Sequence, residues 1–131
     1  MTHRVLIADD EPNIVVSLEY LMKREGYAVT VARDGVQALA AIRAERPDLV
    51  LLDVMMPGKS GFEVCSEVRA DELLAGMKIV LLTAKGRDTD VEKGLALGAD
   101  AYVTKPFSTR ELAERVRQLL ASSAQSTDPT Q

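Results

Sequence analysis

The sequence has one cysteine, one histidine and no tryptophan among its 131 residues. The single cysteine, Cys65, excludes an internal disulfide and a cysteine metal cluster, and it favours a reducing, cytoplasmic setting. Because His3 is the sole histidine, a catalytic triad built on histidine is excluded as well. The sequence therefore lacks the residues for the commonest thiol and histidine chemistries.

Long apolar runs and clusters of basic residues are also missing. Apolar stretches such as LVLL and IVLL are far shorter than the roughly 18 to 20 residues of a membrane helix, and MTHR does not begin a signal peptide. The formal net charge is -4, and the 16 Lys and Arg residues are scattered along the chain. We therefore expect no membrane partner and no direct binding of nucleic acid.

What the sequence does contain is one repeated pattern. Hydrophobic residues make up 47% and charged residues 27% of the chain, which fits a globular domain with a full core. Short apolar runs alternate with segments of helical period, and this alternation predicts a parallel sheet with right-handed crossovers and helices on both faces. The predicted strands cover residues 4–9, 27–32, 48–53, 77–83 and 101–104.

Five segments of helical period follow the strands. The first begins at Pro12 and ends at Gly26, the second covers residues 35–46, and the third begins at Gly61. The last two each begin with a predicted capping box, TDVE at 89–92 and STRE at 108–111. The side chains predicted to face the core are Ile14, Leu18, Leu21, Met22, Val36, Leu39, Ile42, Phe62, Cys65, Val68, Leu112, Val116, Leu119 and Leu120.

The apolar patterns also predict the order of the strands. VLIA, LVLL and IVLL are apolar at every position, as interior strands covered on both faces should be. YAVTVA alternates and AYVT is short, which indicates edge strands. The predicted fold is an α/β, doubly wound, five-stranded parallel sheet of order 2-1-3-4-5 with five helices, similar to flavodoxin.

Acids, a hydroxyl and an amine gather at the carboxyl ends of these strands. They are Asp9, Asp10 and Glu11 after the first strand, Asp53 ending the third, Thr83 ending the fourth and Lys105 after the fifth. Two carboxylates about 4 Å apart repel by about 4 kcal/mol at an effective dielectric constant of about 20. Mg²⁺ would remove this repulsion, because it prefers oxygen ligands and is commonly held by one or two carboxylates plus a phosphate.

Four motifs carry a resemblance to a known family. ADDE, PDLVLLDVMMPGKSGFEV, LLTA and GADAYVTKPF occur in this order within about residues 4–120. Together they resemble the receiver domain of response regulators, the phosphoacceptor module of two-component signalling. The predicted strand order agrees with this resemblance, because such doubly wound sheets carry their functional groups at the switch point between the first and third strands.

The resemblance implies a role for each matching residue. Asp53 resembles the phosphorylated aspartate, and Thr83 and Lys105 resemble the residues that contact the phosphoryl group. Mg²⁺ would be bound directly by Asp10 and Asp53, by the Met55 backbone carbonyl, and by Asp9 through a water molecule. Tyr102 resembles the aromatic residue that changes rotamer on activation, and a cis bond is implied between Lys105 and Pro106.

The implied function is that of a single-domain response regulator. It would accept a phosphoryl group from a sensor histidine kinase or a phosphotransfer protein and signal to a downstream protein through the face formed by the fourth helix, fifth strand and fifth helix. It would assist its own phosphorylation and dephosphorylation without being a dedicated enzyme. We expect the receiver domain at residues 1–121 and a polar, flexible tail at 122–131.

GADAYVTKPFS further resembles receivers of the winged-helix transcription factor subfamily, which dimerise through charge pairs on that same face. Glu111 and Arg115 suit such pairs, but Val91 and Ala101 stand where the subfamily usually has a base and an acid. A full ladder of charge pairs cannot form. We therefore expect a monomer or a weak, phosphorylation-dependent dimer.

The same residues also allow other interpretations. Each residue alone has an ordinary structural explanation: Asp53 as a turn former, Thr83 as a strand end, Lys105 as a solvated amine. The fold could serve as an interaction module without phosphorylation, or as a Mg²⁺-dependent aspartyl phosphatase, although the second acid of such enzymes is replaced here by Met55. GKS at 58–60 indicates a turn, because a nucleotide-binding loop needs glycine where Asp53 stands.

Overall fold

The computed structural model describes residues 2–84 and 87–125, which form a parallel sheet covered by helices on both faces. Within these residues the five strands lie in the order β2-β1-β3-β4-β5, which confirms the predicted topology. The elements are β1 Arg4–Ala8, α1 Pro12–Arg24, β2 Ala28–Ala32, α2 Gly35–Glu45, β3 Leu49–Asp53, α3 Gly61–Ala70, a 3₁₀ turn Glu72–Leu74, β4 Lys78–Ala84, α4 Asp88–Ala96, β5 Ala101–Lys105 and α5 Thr109–Gln125.

The three central strands each supply side chains to two separate hydrophobic cores. Val50 and Leu52 of β3 pack on the side of α2 and α3, whereas Leu49 and Leu51 pack on the side of α1 and α5. Successive side chains of a strand point to opposite faces, so a strand covered on both faces must be apolar at nearly every position. All five residues of β3 are buried, which accounts for the uninterrupted apolar run.

Most predicted core residues are buried, whereas Ile14, Phe62 and Leu119 are partly buried against the cores, and α2 contains one clear error. Leu39 and Ile42 are buried, together with Ala38, but Val36 is 56% exposed. The helix begins with Gly35 buried against the loop that follows β3, where a Cβ on Gly35 would collide with the Lys59 backbone. The buried stripe of α2 is therefore Gly35, Ala38, Leu39 and Ile42, and Val36 lies outside it.

The helix starts follow the sequence signals only in part. Ser108 caps α5, since its Oγ accepts a hydrogen bond from the Glu111 amide at 3.3 Å. The predicted capping box at 89–92 is wrong: α4 begins at Asp88, and Arg87 at its N-cap makes no side-chain cap bond. A complete capping box lies instead at Ser60 and Glu63 before α3, where none was predicted.

The last helix extends past the predicted end of the domain without testing that boundary. Helix α5 continues to Gln125, four residues beyond the predicted domain end at residue 121, and residues 126–131 of the predicted tail lie outside the described residues. Within residues 2–84 and 87–125, no helix is both long and apolar enough to cross a membrane.

Gly61 connects the fold to the end of β3, and it gives a first prediction. A Cβ at this position would collide with the Asp53 carbonyl oxygen and lie 2.8 Å from Val54 Cα. These are backbone atoms that cannot rotate away, so we expect Gly61→Ala to lower the free energy of unfolding by about 2 kcal/mol or more. Urea unfolding followed by circular dichroism measures this.

Gly76→Ala is the matched control for that measurement. Gly76 has no atom within 4 Å of a built Cβ and no positive φ, so alanine should be neutral or slightly stabilising there. Equal stability of the two variants would contradict the contact at Gly61.

Candidate functional site

The register of the sheet brings the predicted site residues to one edge. Ala8 of β1 is paired with Leu52 of β3, so the next residues, Asp9 and Asp53, end neighbouring strands. On the other side of β3, Asp53 is paired with Leu82, one residue before Thr83. Ala84 is in turn paired with Lys105 of β5. The site therefore lies at the carboxyl ends of the central strands, where ligand sites occur in this class of sheet.

Three carboxylates form a compact cluster at this edge. One oxygen from each of Asp9, Asp10 and Asp53 lies within 4.8 Å of the others. Asp9 is fully buried and Asp53 is 4% exposed, whereas Asp10 is exposed to solvent. Two of the three acids have therefore lost most of their hydration, and they need compensating positive charge.

Lys105 supplies part of that charge. Its Nζ lies 2.9 Å from Asp9 Oδ2 and 3.4 Å from Asp53 Oδ2, and 3.5 Å from Oε1 of the more exposed Glu11. The Lys105–Pro106 peptide bond is cis, as the family resemblance implied. The sequence predicted a role for Lys105 at the phosphoryl group but not its closer contact with Asp9, because no local pattern reports a contact between β1 and β5.

Backbone amides orient the two buried carboxylates. The Glu11 amide donates to Asp9 Oδ1 at 2.9 Å, and the Met55 amide donates to Asp53 Oδ1 at 3.2 Å. Asp9 Oδ2 is in ionic contact with Lys105, but the contact does not have the geometry of a hydrogen bond, so this buried oxygen has no hydrogen-bond donor within the described residues. The other oxygen of each carboxylate, Asp9 Oδ2 and Asp53 Oδ2, faces Lys105 Nζ.

This cluster fits a hard divalent cation. It offers carboxylate oxygens, the donors that Mg²⁺ prefers, from two buried acids and one exposed acid within 4.8 Å of one another. The exposed side chain of Asp10 leaves the cluster open to solvent on one side. An open side suits Mg²⁺, which usually retains several water molecules.

The electrostatics of the cluster are visible in two pKa values. Burial, followed by the negative charge of Asp9, raises the pKa of Asp53 to about 6, although the Met55 amide and Lys105 oppose this. Burial alone would lower the pKa of Lys105, but Asp9, Asp53 and Glu11 more than offset it, so the pKa of Lys105 is raised. Without a divalent cation, the ionised form of Asp53 therefore destabilises the folded protein.

Asp53→Asn should stabilise the cation-free protein at pH 7. The folded pKa of Asp53, about 6, exceeds the ordinary value of 3.8, so the penalty for ionisation is complete above pH 6 and is relieved as the pH falls toward 4. Asparagine carries no such penalty. We expect a gain in unfolding free energy of up to about 3 kcal/mol at pH 7, shrinking as the pH falls through that range.

Urea unfolding in EDTA at several pH values tests this expectation. Asp88→Asn is the control, because it removes an exposed acid of α4. If Asp53→Asn is no more stable than wild type at pH 7, or if its gain in stability grows as the pH falls, the raised pKa of Asp53 is contradicted.

The remaining predicted residues surround the cluster. Thr83 is buried, and its Oγ1 donates to the Ala84 carbonyl at 3.2 Å. Met55, in the loop after β3, has a 65% exposed side chain. Tyr102 is 41% exposed and lines a groove of about 280 Å³ with Glu111 and Arg115.

A third buried acid, outside the cluster, was not predicted from the sequence. Asp90 in the first turn of α4 is 8% exposed, and its Oδ2 lies 3.0 Å from Arg87 Nε. The sequence signal was the spacing of three between an arginine and an aspartate, which is common in exposed helices. The pair joins the N-cap of α4 to its first turn. It does not belong to the carboxylate cluster.

Comparisons with known proteins agree with this geometry. The family model described as "Response regulator receiver domain" matches residues 5–117. A solved structure from Chloroflexus aurantiacus J-10-fl is 36% identical, with a TM-score of 0.89 and coverage of 92% of this chain and 99% of that chain.

Two further solved structures are similar over nearly their whole length. A response regulator receiver domain protein (CheY-like) from Methanospirillum hungatei JF-1 is 31% identical, with a TM-score of 0.90 and coverage of 96% of this chain and 99% of that chain. The BeF3-activated DrrB receiver domain is 32% identical, with a TM-score of 0.83 and coverage of 92% and 99%. With its strand order, its acidic cluster and these matches, the chain belongs to the response regulator receiver domain family of two-component signalling.

Proposed function

We propose that Asp53 accepts a phosphoryl group from a phosphohistidine of a sensor histidine kinase or a phosphotransfer protein. The observation that carries this proposal is the cluster itself: a buried carboxylate at the end of β3, with two further acids within 4.8 Å and the Lys105 ammonium at 3.4 Å. Such an arrangement lowers the stability of the fold, because buried carboxylates repel one another, whereas it suits the transfer of an anionic group.

In the proposed step an Asp53 carboxylate oxygen attacks the phosphorus atom. A P–O bond forms to Asp53, the P–N bond to the donor histidine breaks, and its electron pair returns to the imidazole. At pH 7 most Asp53 side chains are ionised, since their pKa is about 6. Lys105 neutralises charge on the phosphoryl oxygens, and the protein contributes mainly positioning and electrostatics.

The acids and one carbonyl would hold the cation that this reaction requires. Asp10 and Asp53 would bind Mg²⁺ directly, together with the Met55 backbone carbonyl, and Asp9 would bind through a water molecule. When bound, Mg²⁺ neutralises the charge of the transferring phosphoryl oxygens. Glu11, 61% exposed at the N-cap of α1, stays outside this set.

Activation would then pass through Thr83 and Tyr102. The Thr83 hydroxyl now donates to a neighbouring carbonyl, and a phosphoryl oxygen, a stronger acceptor, would draw it toward Asp53. The space this movement leaves would let the Tyr102 ring turn inward from its 41% exposed position. The result is a change in the face formed by α4, β5 and α5, where a downstream protein would bind.

The face formed by α4, β5 and α5 is also where receivers of the winged-helix subfamily dimerise. Glu111 and Arg115 line the groove beside Tyr102, as receivers of the winged-helix subfamily would require. Ala101, however, is a 4% exposed apolar residue and offers no charge to a partner. We therefore propose a monomer or a weak, phosphorylation-dependent dimer. We also propose that the protein is located in the cytoplasm and that its receiver domain covers about residues 1–121.

A phosphoacceptor module is favoured over the two alternatives. A Mg²⁺-dependent aspartyl phosphatase needs a second acid two residues after its nucleophile, and Met55 stands there with an exposed apolar side chain. An interaction module that needs no phosphorylation would have no use for buried, mutually repelling acids. The protein would assist its own phosphorylation and dephosphorylation without acting on a separate substrate.

The test is incubation with acetyl phosphate, with Mg²⁺ or with EDTA, followed by intact mass measurement. We expect a gain of one phosphoryl group with Mg²⁺ and no gain with EDTA. No gain in either arm would favour the interaction module. Sustained release of many equivalents of inorganic phosphate per protein, with no accumulation of the phosphorylated form, would favour the phosphatase.

A further inference from the structure

The loop between β3 and α3, residues 54–60, carries the Met55 carbonyl of the proposed Mg²⁺ site. Its start is held by the fold itself: the Val54 amide donates to the Leu82 carbonyl at 3.2 Å, and the Gly61 amide donates to the Val54 carbonyl at 3.1 Å. Met56 is buried in the core. Residues 57–59 extend beyond these contacts and meet a different element.

That element is the first turn of α2. The Gly35 amide donates to the Pro57 carbonyl at 3.2 Å. A Cβ on Gly35 would lie 2.6 Å from Lys59 Cβ and closer still to the Lys59 carbonyl oxygen, and a Cβ on Gly58 would lie 3.3 Å from Val36 Cγ2. Gly35 thus meets Pro57 and Lys59, and Val36 lies beside Gly58.

The first turn of α2 is itself held in place by hydrogen bonds. Asp34 Oδ1 accepts from the Gln37 amide at 2.8 Å, and Gln37 Oε1 accepts from the Arg33 amide at 3.1 Å. Ala38 and Leu39, which follow in the same helix, are buried in the core. The loop therefore rests against an element that is anchored at its N-cap and in the core.

We propose that Gly35 and Val36 are positioning residues for the Mg²⁺ site, which hold residues 57–59 and through them the Met55 carbonyl. This rests on the proposed function, because it presumes that the carbonyl is a metal ligand. It also accounts for Val36, an apolar side chain that is 56% exposed and lies beside Gly58. Alanine at Gly35 would push Lys59 away, and alanine at Val36 would free Gly58.

The test compares Mg²⁺ affinity with stability in matched variants. Titration calorimetry measures the Kd of Mg²⁺ for wild type, Gly35→Ala, Val36→Ala and two controls, and urea unfolding in EDTA measures stability. Gly76→Ala is the glycine control, with open space around a Cβ, and Val16→Ala is the valine control, with a 66% exposed side chain on α1. We expect the Kd to rise about tenfold in Gly35→Ala and about threefold in Val36→Ala, with both controls unchanged.

The outcomes separate this proposal from the proposed function. Variants that lose stability in EDTA but keep the wild-type Kd would show a purely structural role and overturn the proposal. If Gly35→Ala does not fold, Val36→Ala against Val16→Ala decides in the same way. If wild type binds Mg²⁺ and both variants bind it equally well, this proposal alone is overturned. If wild type binds no Mg²⁺, the proposed function is overturned together with this proposal.

Discussion

Replacing Asp10 with asparagine should raise the Kd for Mg²⁺ by about 10- to 100-fold. Asp10 is the exposed member of the carboxylate cluster. The ion pairs of Lys105 reach Asp9 and Asp53 but not Asp10, so Lys105 does not neutralise the Asp10 charge. The amide keeps an oxygen in place but removes a full negative charge at about ligand distance, where electrostatic attraction is largest.

Titration calorimetry at pH 7 measures this effect, and phosphorylation by acetyl phosphate at a fixed, low Mg²⁺ concentration should slow in parallel. Asp88→Asn is the matched control, since it removes one exposed acid of α4 outside the cluster. A Kd for Asp10→Asn that equals the control would contradict the direct binding of Mg²⁺ by Asp10.

Lys105→Met should separate metal binding from phosphoryl transfer. Its Nζ lies within 3.4 Å of two of the proposed metal-site acids, so it repels a cation, and its removal should leave the Kd for Mg²⁺ unchanged or lower. Phosphorylation should nevertheless slow by about 100-fold or more, because the donor that neutralises the phosphoryl oxygens is lost. Lys105 also lowers the pKa of Asp53, so without it fewer Asp53 side chains are ionised.

The measurement is the initial rate of phosphorylation at saturating Mg²⁺, with the Kd determined separately. Lys23→Met serves as the control, since Lys23 is an exposed residue paired with Glu19 on α1. If Lys105→Met weakened Mg²⁺ binding and left the rate at saturating Mg²⁺ unchanged, Lys105 would act on the metal site and not on the phosphoryl group.

The sheet could be predicted from the sequence because its pattern is redundant. Strands covered on both faces must be apolar throughout, and the buried runs of β1, β3 and β4 meet that requirement. The gathering of Asp9, Asp10 and Asp53 follows from the topology, since parallel strands in one sheet end at one edge. These predictions needed no knowledge of side-chain packing.

The errors arose where tertiary contacts override local signals. Val36 has helical spacing with Leu39, but Gly35 occupies the buried stripe of α2, close to Lys59, and Val36 lies outside that stripe. TDVE has the letters of a capping box, yet α4 begins at Asp88, one residue before Thr89, and Asp90 within the motif pairs with Arg87. The contact of Lys105 with Asp9 joins residues far apart in the chain, and no spacing in the sequence encodes it.

The central claim is that Asp53 is the phosphoacceptor. The most direct measurement is the intact mass of wild type and Asp53→Asn after incubation with acetyl phosphate and Mg²⁺, with the modified residue located by fragmentation. The account predicts one added phosphoryl group on Asp53 in the wild type and none in Asp53→Asn, which we expect to keep its fold. A phosphoryl group that persists at the same level in Asp53→Asn would contradict it.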